Sequence, residues 1–396
     1  MKEKCDLSYR YIAHNNMNSL EKIAIFIPTV ETGGVEKNAI WVSNELIAKG
    51  YSVDFLYVNG NKEKIDQLNS AVNKIVLKGY KFPIIKNKRI NDAISCISAF
   101  LKYLDSNDNN NTIILSFQSS VISIIICNFK KFKVLPRLSN HPNAASIENS
   151  VSRKFSEYLK GLIYKKASAV IGNSQKLSED FSKKIHKPVI TIYNPVEITK
   201  INYFKNESVD FIKYDKSKIN IIAVGRLARQ KDYITMLKGF RMAKMKTEIS
   251  LWIIGEGEER KNIEDFISTN NLTESVHLIG YQTNVYKYIN QCDLYIQTSL
   301  YEGLPNSLIE ALAVGLPVIC TDCLSGPREI LMDGKGGDLI EVGDYNTLAE
   351  RILNFVENPK VLAAKSKYIK NTLQRFEPEK IIDEYLELMK KIVNMD

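Results

Sequence analysis

The chain has 396 residues, is 44% hydrophobic and 25% charged, and carries a formal net charge of +9. That length exceeds one ordinary core and that composition is normal for a folded globular protein, so two domains are the default and disordered or fibrous classes are excluded. The longest apolar runs, 121–127 and 312–320, fall well short of the roughly 20 residues a membrane-spanning helix needs.

The first twenty residues have no continuous apolar segment and no small-residue cleavage site, so 1–20 is expected to be an extension rather than a secretory signal. Six cysteines are scattered at 5, 96, 127, 292, 320 and 323; a chain this large needs no disulfide staples, which points to a reducing, cytoplasmic compartment. Cys320 and Cys323 form a C-x-x-C without a second pair or a nearby histidine, and are expected to be ordinary thiols after a buried strand. Residues 1–197 hold 28 Lys+Arg against 17 Asp+Glu, while residues 198–396 hold 26 against 28. The basic half could face something anionic, such as a membrane surface, a lipid diphosphate or nucleic acid. Compositional drift toward Lys, Asn and Ile accounts for it equally well.

Short apolar runs alternate with turns and longer amphipathic segments, the pattern of βα units around a parallel sheet. In the first half, strands are expected at 23–28, 52–58, 113–117, 133–138, 169–172 and 189–193, with helices at 35–49 and 153–166 among them. Residues 198–216 lack periodicity and form the expected linker between a domain at 21–197 and a second at 217–377. That second domain should hold strands at 219–224, 250–254, 276–279, 294–297, 317–321 and 337–340, and helices at 234–245, 258–270 and 307–314. A last amphipathic helix, within 378–396, has no strand before it and is expected to cross back toward the first domain. The basic amphipathic stretch 153–166 adds to the case for peripheral contact with an anionic membrane.

Several strand ends carry residues suited to a phosphorylated ligand. FIPTVETGGVE places Gly33 and Gly34 at a turn into a helix, where a missing side chain admits a ligand to the backbone; a tight turn explains them as well. IIAVGRLARQKD ends a strand at Gly225 and follows it with Arg226 and Lys231, two cations able to neutralise a departing diphosphate; surface cations are the plainer alternative. Gly255, in WIIGEGEER, repeats the strand-end glycine. DLYIQTSLYEGLPNSLIE leads from a strand through a loop into a helix expected to start, and be capped, at Asn306 or Ser307. The unpaired amides over Gly303, Leu304, Pro305, Asn306, Ser307 and Leu308 make an anion site. Glu302 and Glu310 flank it and could accept from sugar or ribose hydroxyls, unless Glu302 is merely solvated and Glu310 only caps the helix.

These elements resemble retaining glycosyltransferases of the GT-B fold, glycosyltransferase family 4 (glycosyl transferases group 1), over about residues 23–393. EGLPNSLIE is similar to the family's E-x7-E element, Gly225, Arg226 and Lys231 to its G-R-x5-K element, TGGVE to its first glycine-rich turn, and NPV at 194–196 to the end of its first domain. The resemblance implies two Rossmann-like α/β/α domains facing a cleft, with the donor on the second and the acceptor on the first. It implies Arg226 and Lys231 on the diphosphate, Glu310 on the ribose, and Glu302 with the 303–308 backbone on the transferred sugar. A histidine near the reacting carbon is matched by His141, in RLSNHPN, beside Arg137 and Asn140. SGPREIL at 325–331 looks like a segment of transferases that use UDP-galactose, UDP-GalNAc or UDP-GlcNAc for bacterial surface glycans.

The expected activity is therefore transfer of a sugar, with retention, from a nucleotide diphosphate donor to a glycan or polyprenyl-diphosphate-linked acceptor at the inner face of the cell membrane. No D-x-D element stands at a strand end, so no essential metal and no cofactor is expected, and no nucleic-acid partner. A sugar-nucleotide epimerase of the same fold would need the same donor contacts without an acceptor. A non-catalytic protein coating an anionic surface would leave the strand-end cluster unexplained.

Overall fold

The computed structural model describes residues 20–31, 33–79, 88–139, 151–209, 215 and 217–395, without the side chains of 88–94, 151–155 and 371. Among these, fifteen strands follow in order: β1 (Lys22–Phe26), β2 (Thr29–Val30), β3 (Ser52–Tyr57), β4 (Asn59–Gly60), β5 (Asn73–Val76), β6 (Thr112–Ser116), β7 (Lys133–Leu138), β8 (Val170–Gly172), β9 (Val189–Thr191), β10 (Ile219–Val224), β11 (Ile249–Ile254), β12 (Val276–Gly280), β13 (Leu294–Gln297), β14 (Val318–Thr321) and β15 (Asp338–Ile340). They form a seven-stranded sheet in the order β5-β3-β1-β6-β7-β8-β9, a six-stranded sheet in the order β12-β11-β10-β13-β14-β15, and a small β2-β4 pair. Every pairing is parallel.

Helices cover both faces of each sheet, which is why the strands are apolar runs rather than alternating ones. Along β1, Ile23 and Ile25 enter one core while Ala24 and Phe26 enter the other. Along β10, Ile221 and Ala223 face one side and Ile222 the other. Both sheets reverse direction beside their first strand: β1 is flanked by β3 and β6, and β10 by β11 and β13. In open parallel sheets a ligand crevice forms at such switch points, outside the carboxyl ends of the strands.

The segment 198–216 is not a plain linker, because Ile198–Phe204 is helical and its Ile201 is fully buried in a core of the second sheet. The helix Pro378–Val393 inserts Ile381, Tyr385 and Met389 into a core of the first sheet. Its Tyr385 hydroxyl accepts from Arg137 Nε at 2.6 Å. No helix among the described residues is long and apolar enough to cross a membrane.

Candidate active site

The site is built by two loops that the second sheet makes neighbours. Because β10 lies beside β13, the turn after β10 and the loop after β13 are stitched together. Thr298 Oγ1 donates to the carbonyls of Lys231 (3.1 Å) and Asp232 (2.9 Å), Leu300 N to Gln230 O (2.8 Å), and Gln230 Nε2 to Tyr301 O (2.8 Å). A short 3-10 turn, Arg229–Lys231, then aims Lys231 inward. Its Nζ lies 2.6 Å from Glu302 Oε1, which also accepts from Ser299 Oγ at 2.6 Å. Glu302 is buried, not solvated. Arg226, in contrast, is exposed and has no side-chain partner among the described residues.

The helix expected at 307–314 begins at Asn306, with Pro305 at the N-cap position and no side-chain cap. The expected Asn or Ser cap is thus corrected, because both side chains are engaged elsewhere. Asn306 Oδ1 accepts from Asn194 Nδ2 at 2.6 Å, and Ser307 Oγ accepts from Tyr295 Oη at 2.9 Å. The first-turn amides of this helix are left without a side-chain acceptor, which suits an incoming anion.

Glu310 is no helix cap either. Buried in the helix Asn306–Val314, its Oε1 lies 3.2 Å from Lys37 Nζ and accepts from Tyr286 Oη at 3.3 Å. The Glu310 charge holds the Lys37 ammonium well above its usual range, and burial raises the Tyr286 phenol. Lys37 belongs to the helix Gly34–Ala48, which follows the first glycine-rich turn, so this ion pair bridges the two sheets. Neither Lys37 nor Tyr286 stood out in the sequence. The only signal was the position of Lys37 three residues after Gly34, on the helix that leads away from the turn.

The glycines divide into two kinds. Gly33 has an ordinary φ of −81°, though a Cβ there would sit 2.4 Å from the flexible Glu36 Oε2, and a Cβ on Gly34 would meet nothing within 4 Å. No tight turn demands either of them. Gly255, at φ +147°, lies so close to the neighbouring loop that a Cβ would sit 1.9 Å from Gly225 O. Packing of the two strand-end loops therefore accounts for Gly255, whatever ligand approaches it. Gly303 faces the other sheet: a Cβ there would lie 1.9 Å from Ser139 O.

Asn194, of the NPV segment, is a second bridge. Its Oδ1 accepts from Arg137 Nη2 at 2.5 Å, and its Nδ2 donates to Asn306 Oδ1. Arg137 is buried and spent on Asn194 and Tyr385, so it is not free for a ligand. Glu329, in SGPREIL, accepts from Gln175 N and from Tyr193 Oη at 2.5 Å, a further tie between the sheets. His141 and Asn140 lie outside the described residues. Beside Ser139, whose carbonyl accepts from Asn173 Nδ2 at 3.0 Å, the buried Asn173 Oδ1 and Ser174 Oγ have no hydrogen-bond partner among the described residues.

One exposed cation, one half-buried lysine, an uncapped helix start and two buried carboxylates thus line the carboxyl end of the second sheet. Such a set can hold an anion together with vicinal hydroxyls.

Comparison with known proteins bears on the family and the fold. The family described as glycosyl transferases group 1 matches residues 204–375. The N-acetylgalactosamine-N,N'-diacetylbacillosaminyl-diphospho-undecaprenol 4-alpha-N-acetylgalactosaminyltransferase of Campylobacter jejuni is 31% identical over 252 residues, covering 63% of this chain and 67% of the relative. A GalNAc-alpha-(1->4)-GalNAc-alpha-(1->3)-diNAcBac-PP-undecaprenol alpha-1,4-N-acetyl-D-galactosaminyltransferase of the same organism is 24% identical, covering 94% of this chain and 99% of its own. Among solved structures, Anabaena HepE in complex with UDP and glucose superposes with a TM-score of 0.76 at 18% identity, covering 94% of this chain and 100% of that one. The two facing sheets are those of the GT-B fold, and the chain belongs to the glycosyl transferases group 1 family and is a glycosyltransferase.

Proposed function

We propose that the protein transfers an N-acetylhexosamine or galactose, with retention, from a UDP-linked donor to a polyprenyl-diphosphate-linked glycan in the synthesis of a bacterial surface polysaccharide. The observation that carries the donor assignment is the convergence of Arg226, Lys231, the start of the Asn306–Val314 helix and Glu302 within two hydrogen-bonded loops. Arg226 and Lys231 take the charge that develops on the diphosphate as the bond to the sugar carbon breaks. Glu310 accepts from the ribose, and Glu302 from the sugar, together with the backbone of 303–308. Membership of family 4 and retention rest on the resemblance of these elements. The UDP donor is supported by the HepE complex, and the lipid-linked acceptor by the names of the two Campylobacter relatives.

In this reading the first sheet binds the acceptor, with His141 near the reacting carbon, while Gly33 and Gly34 let the donor approach the backbone from across the cleft. The positive charge of Arg226 and Lys231 takes the place of a metal, so no metal or cofactor is needed. The enzyme acts at the cytoplasmic face of the membrane.

The test is incubation with a panel of UDP-sugars and a lipid-diphosphate glycan, followed by mass spectrometry and NMR of the new anomeric centre. UDP release that depends on the acceptor, with an axial product from an axial donor, is the expected result. An epimerised UDP-sugar formed without acceptor and without release of UDP, or an inverted product, would overturn it; the first outcome would favour the epimerase.

A further inference from the structure

A helix on the surface of a globular protein normally turns its polar side outward. The helix Ser120–Phe129 does the reverse. It contains no charged residue, and its outer stripe is Ile122, Ile125 and Phe129, at spacings of three and four, with Phe129 76% exposed. Beside it the helix Val151–Tyr164 exposes Tyr158, Leu159 and Leu162 along one face. Six large apolar side chains therefore stand in solvent on two adjacent helices, an arrangement that marks an interaction surface.

The charges around this surface indicate what covers it. Strands β6, β7 and β8 are parallel neighbours, so the two helices connecting them run the same way and end at the same edge. Lys131 follows the first helix, and Lys165 and Lys166 follow the second. All three are exposed, with no acidic partner among the described residues. An apolar stripe rimmed by unpaired lysines complements an anionic bilayer, whose interior takes the apolar side chains and whose headgroups take the ammoniums. A second copy of the chain, packed on this face about a two-fold axis, would bring like charges together. At its other end the stripe reaches the carboxyl edge of the first sheet: Ile122 and Ser119 line a cavity of about 180 Å³ with Phe26, Pro28, Val58 and Ile97, beyond the carboxyl ends of β1 and β3.

We propose that the outer face of helices Ser120–Phe129 and Val151–Tyr164 docks the enzyme on anionic phospholipid, holding the mouth of the first sheet at the depth where a lipid-linked acceptor presents its sugar. The role in acceptor delivery rests on the proposed function. The docking itself does not.

The experiment measures co-sedimentation of the full chain with vesicles of phosphatidylcholine alone or mixed with phosphatidylglycerol. Wild type is expected to sediment with the mixed vesicles only. A variant carrying Ile125→Ser, Phe129→Ser and Tyr158→Ser should stay in solution. Lys131→Gln, Lys165→Gln and Lys166→Gln together should weaken the partition about a hundredfold, each lysine near an anionic surface being worth about fivefold. Both variants should keep wild-type transfer to a short, water-soluble acceptor and lose transfer to a lipid-linked acceptor in vesicles. Equal sedimentation of all three proteins, sedimentation of none, or a wild-type dimer that the serine variant dissolves would overturn the docking surface. Vesicle binding as expected, with no transfer to either acceptor by wild type, would leave the surface standing and sink the proposed function instead.

Discussion

Lys231 Nζ and Glu302 Oε1 lie 2.6 Å apart, on loops that follow β10 and β13, with the glutamate buried and the lysine nearly so. Each therefore has a structural duty besides any toward a ligand. Removing one partner leaves the other charge buried and unpaired, which costs about 3–5 kcal/mol. Lys231→Met should lower the melting temperature, and adding Glu302→Gln should recover much of the loss, since the double variant buries no lone charge. Arg226→Ala, at an exposed position with no partner, should leave the melting temperature unchanged while weakening UDP binding by about tenfold or more. Thermal melts with and without UDP check both. Additive melting losses in the lysine and glutamate variants would refute the pairing.

The two glutamates should fail differently. A ribose contact is made equally in ground and transition states, so Glu310→Gln should chiefly raise the donor KM. Glu302→Gln should chiefly lower kcat, because in the proposed function the ring it faces becomes oxocarbenium-like as the diphosphate leaves. Under the proposed function Lys37 competes with the ribose for Glu310, and since the Lys37 side chain is 61% exposed the pair is worth about 0–1 kcal/mol. Lys37→Met should thus lower the donor KM by up to about fivefold. Steady-state kinetics at saturating acceptor separate these outcomes; a raised KM in Lys37→Met would show that the lysine helps to bind the donor.

Gly34 and Gly255 make opposite predictions. Alanine at Gly34 meets open space within a helix, so it should stabilise the fold by about 0.5–1 kcal/mol. If a ligand touches that backbone, turnover should nonetheless fall. Alanine at Gly255 forces a strained φ and a clash with Gly225 O, at a cost on the order of 3 kcal/mol. Denaturant melts paired with transfer rates test both, and unchanged turnover in Gly34→Ala would remove the first glycine turn from the site.

Transfer should persist in excess chelator, because in the proposed function Arg226 and Lys231 balance the charge of the diphosphate in place of a metal. Activity lost in EDTA and restored by magnesium or manganese would contradict this.

The central strands were legible because helices bury them on both faces, which leaves uninterrupted apolar runs such as KIAIF and ISLWII. The edge strand β5, NKIV, was not, since most of it is exposed and it carries no such run. EGLPNSLIE and VGRLARQKD were legible as strand-end motifs, and their contact follows from β10 lying beside β13. The helix cap was misjudged because the pull of Asn194 on Asn306 comes from 112 residues away. Lys37 was invisible for the same reason, its carboxylate partner lying 273 residues along the chain.

The helix Pro378–Val393 also sets an order on biosynthesis. Its Ile381, Tyr385 and Met389 complete a core that otherwise belongs to the first half of the chain, and its Tyr385 hydroxyl is the acceptor for the buried Arg137. While the polypeptide emerges from the ribosome, the second sheet can close before the first. The N-terminal half must wait, with an open apolar groove and Arg137 Nε short of its acceptor, until residues 378–393 have been made. Stalled translation short of that helix would leave a nascent chain with a folded second half and an unfinished first half, a natural substrate for chaperones.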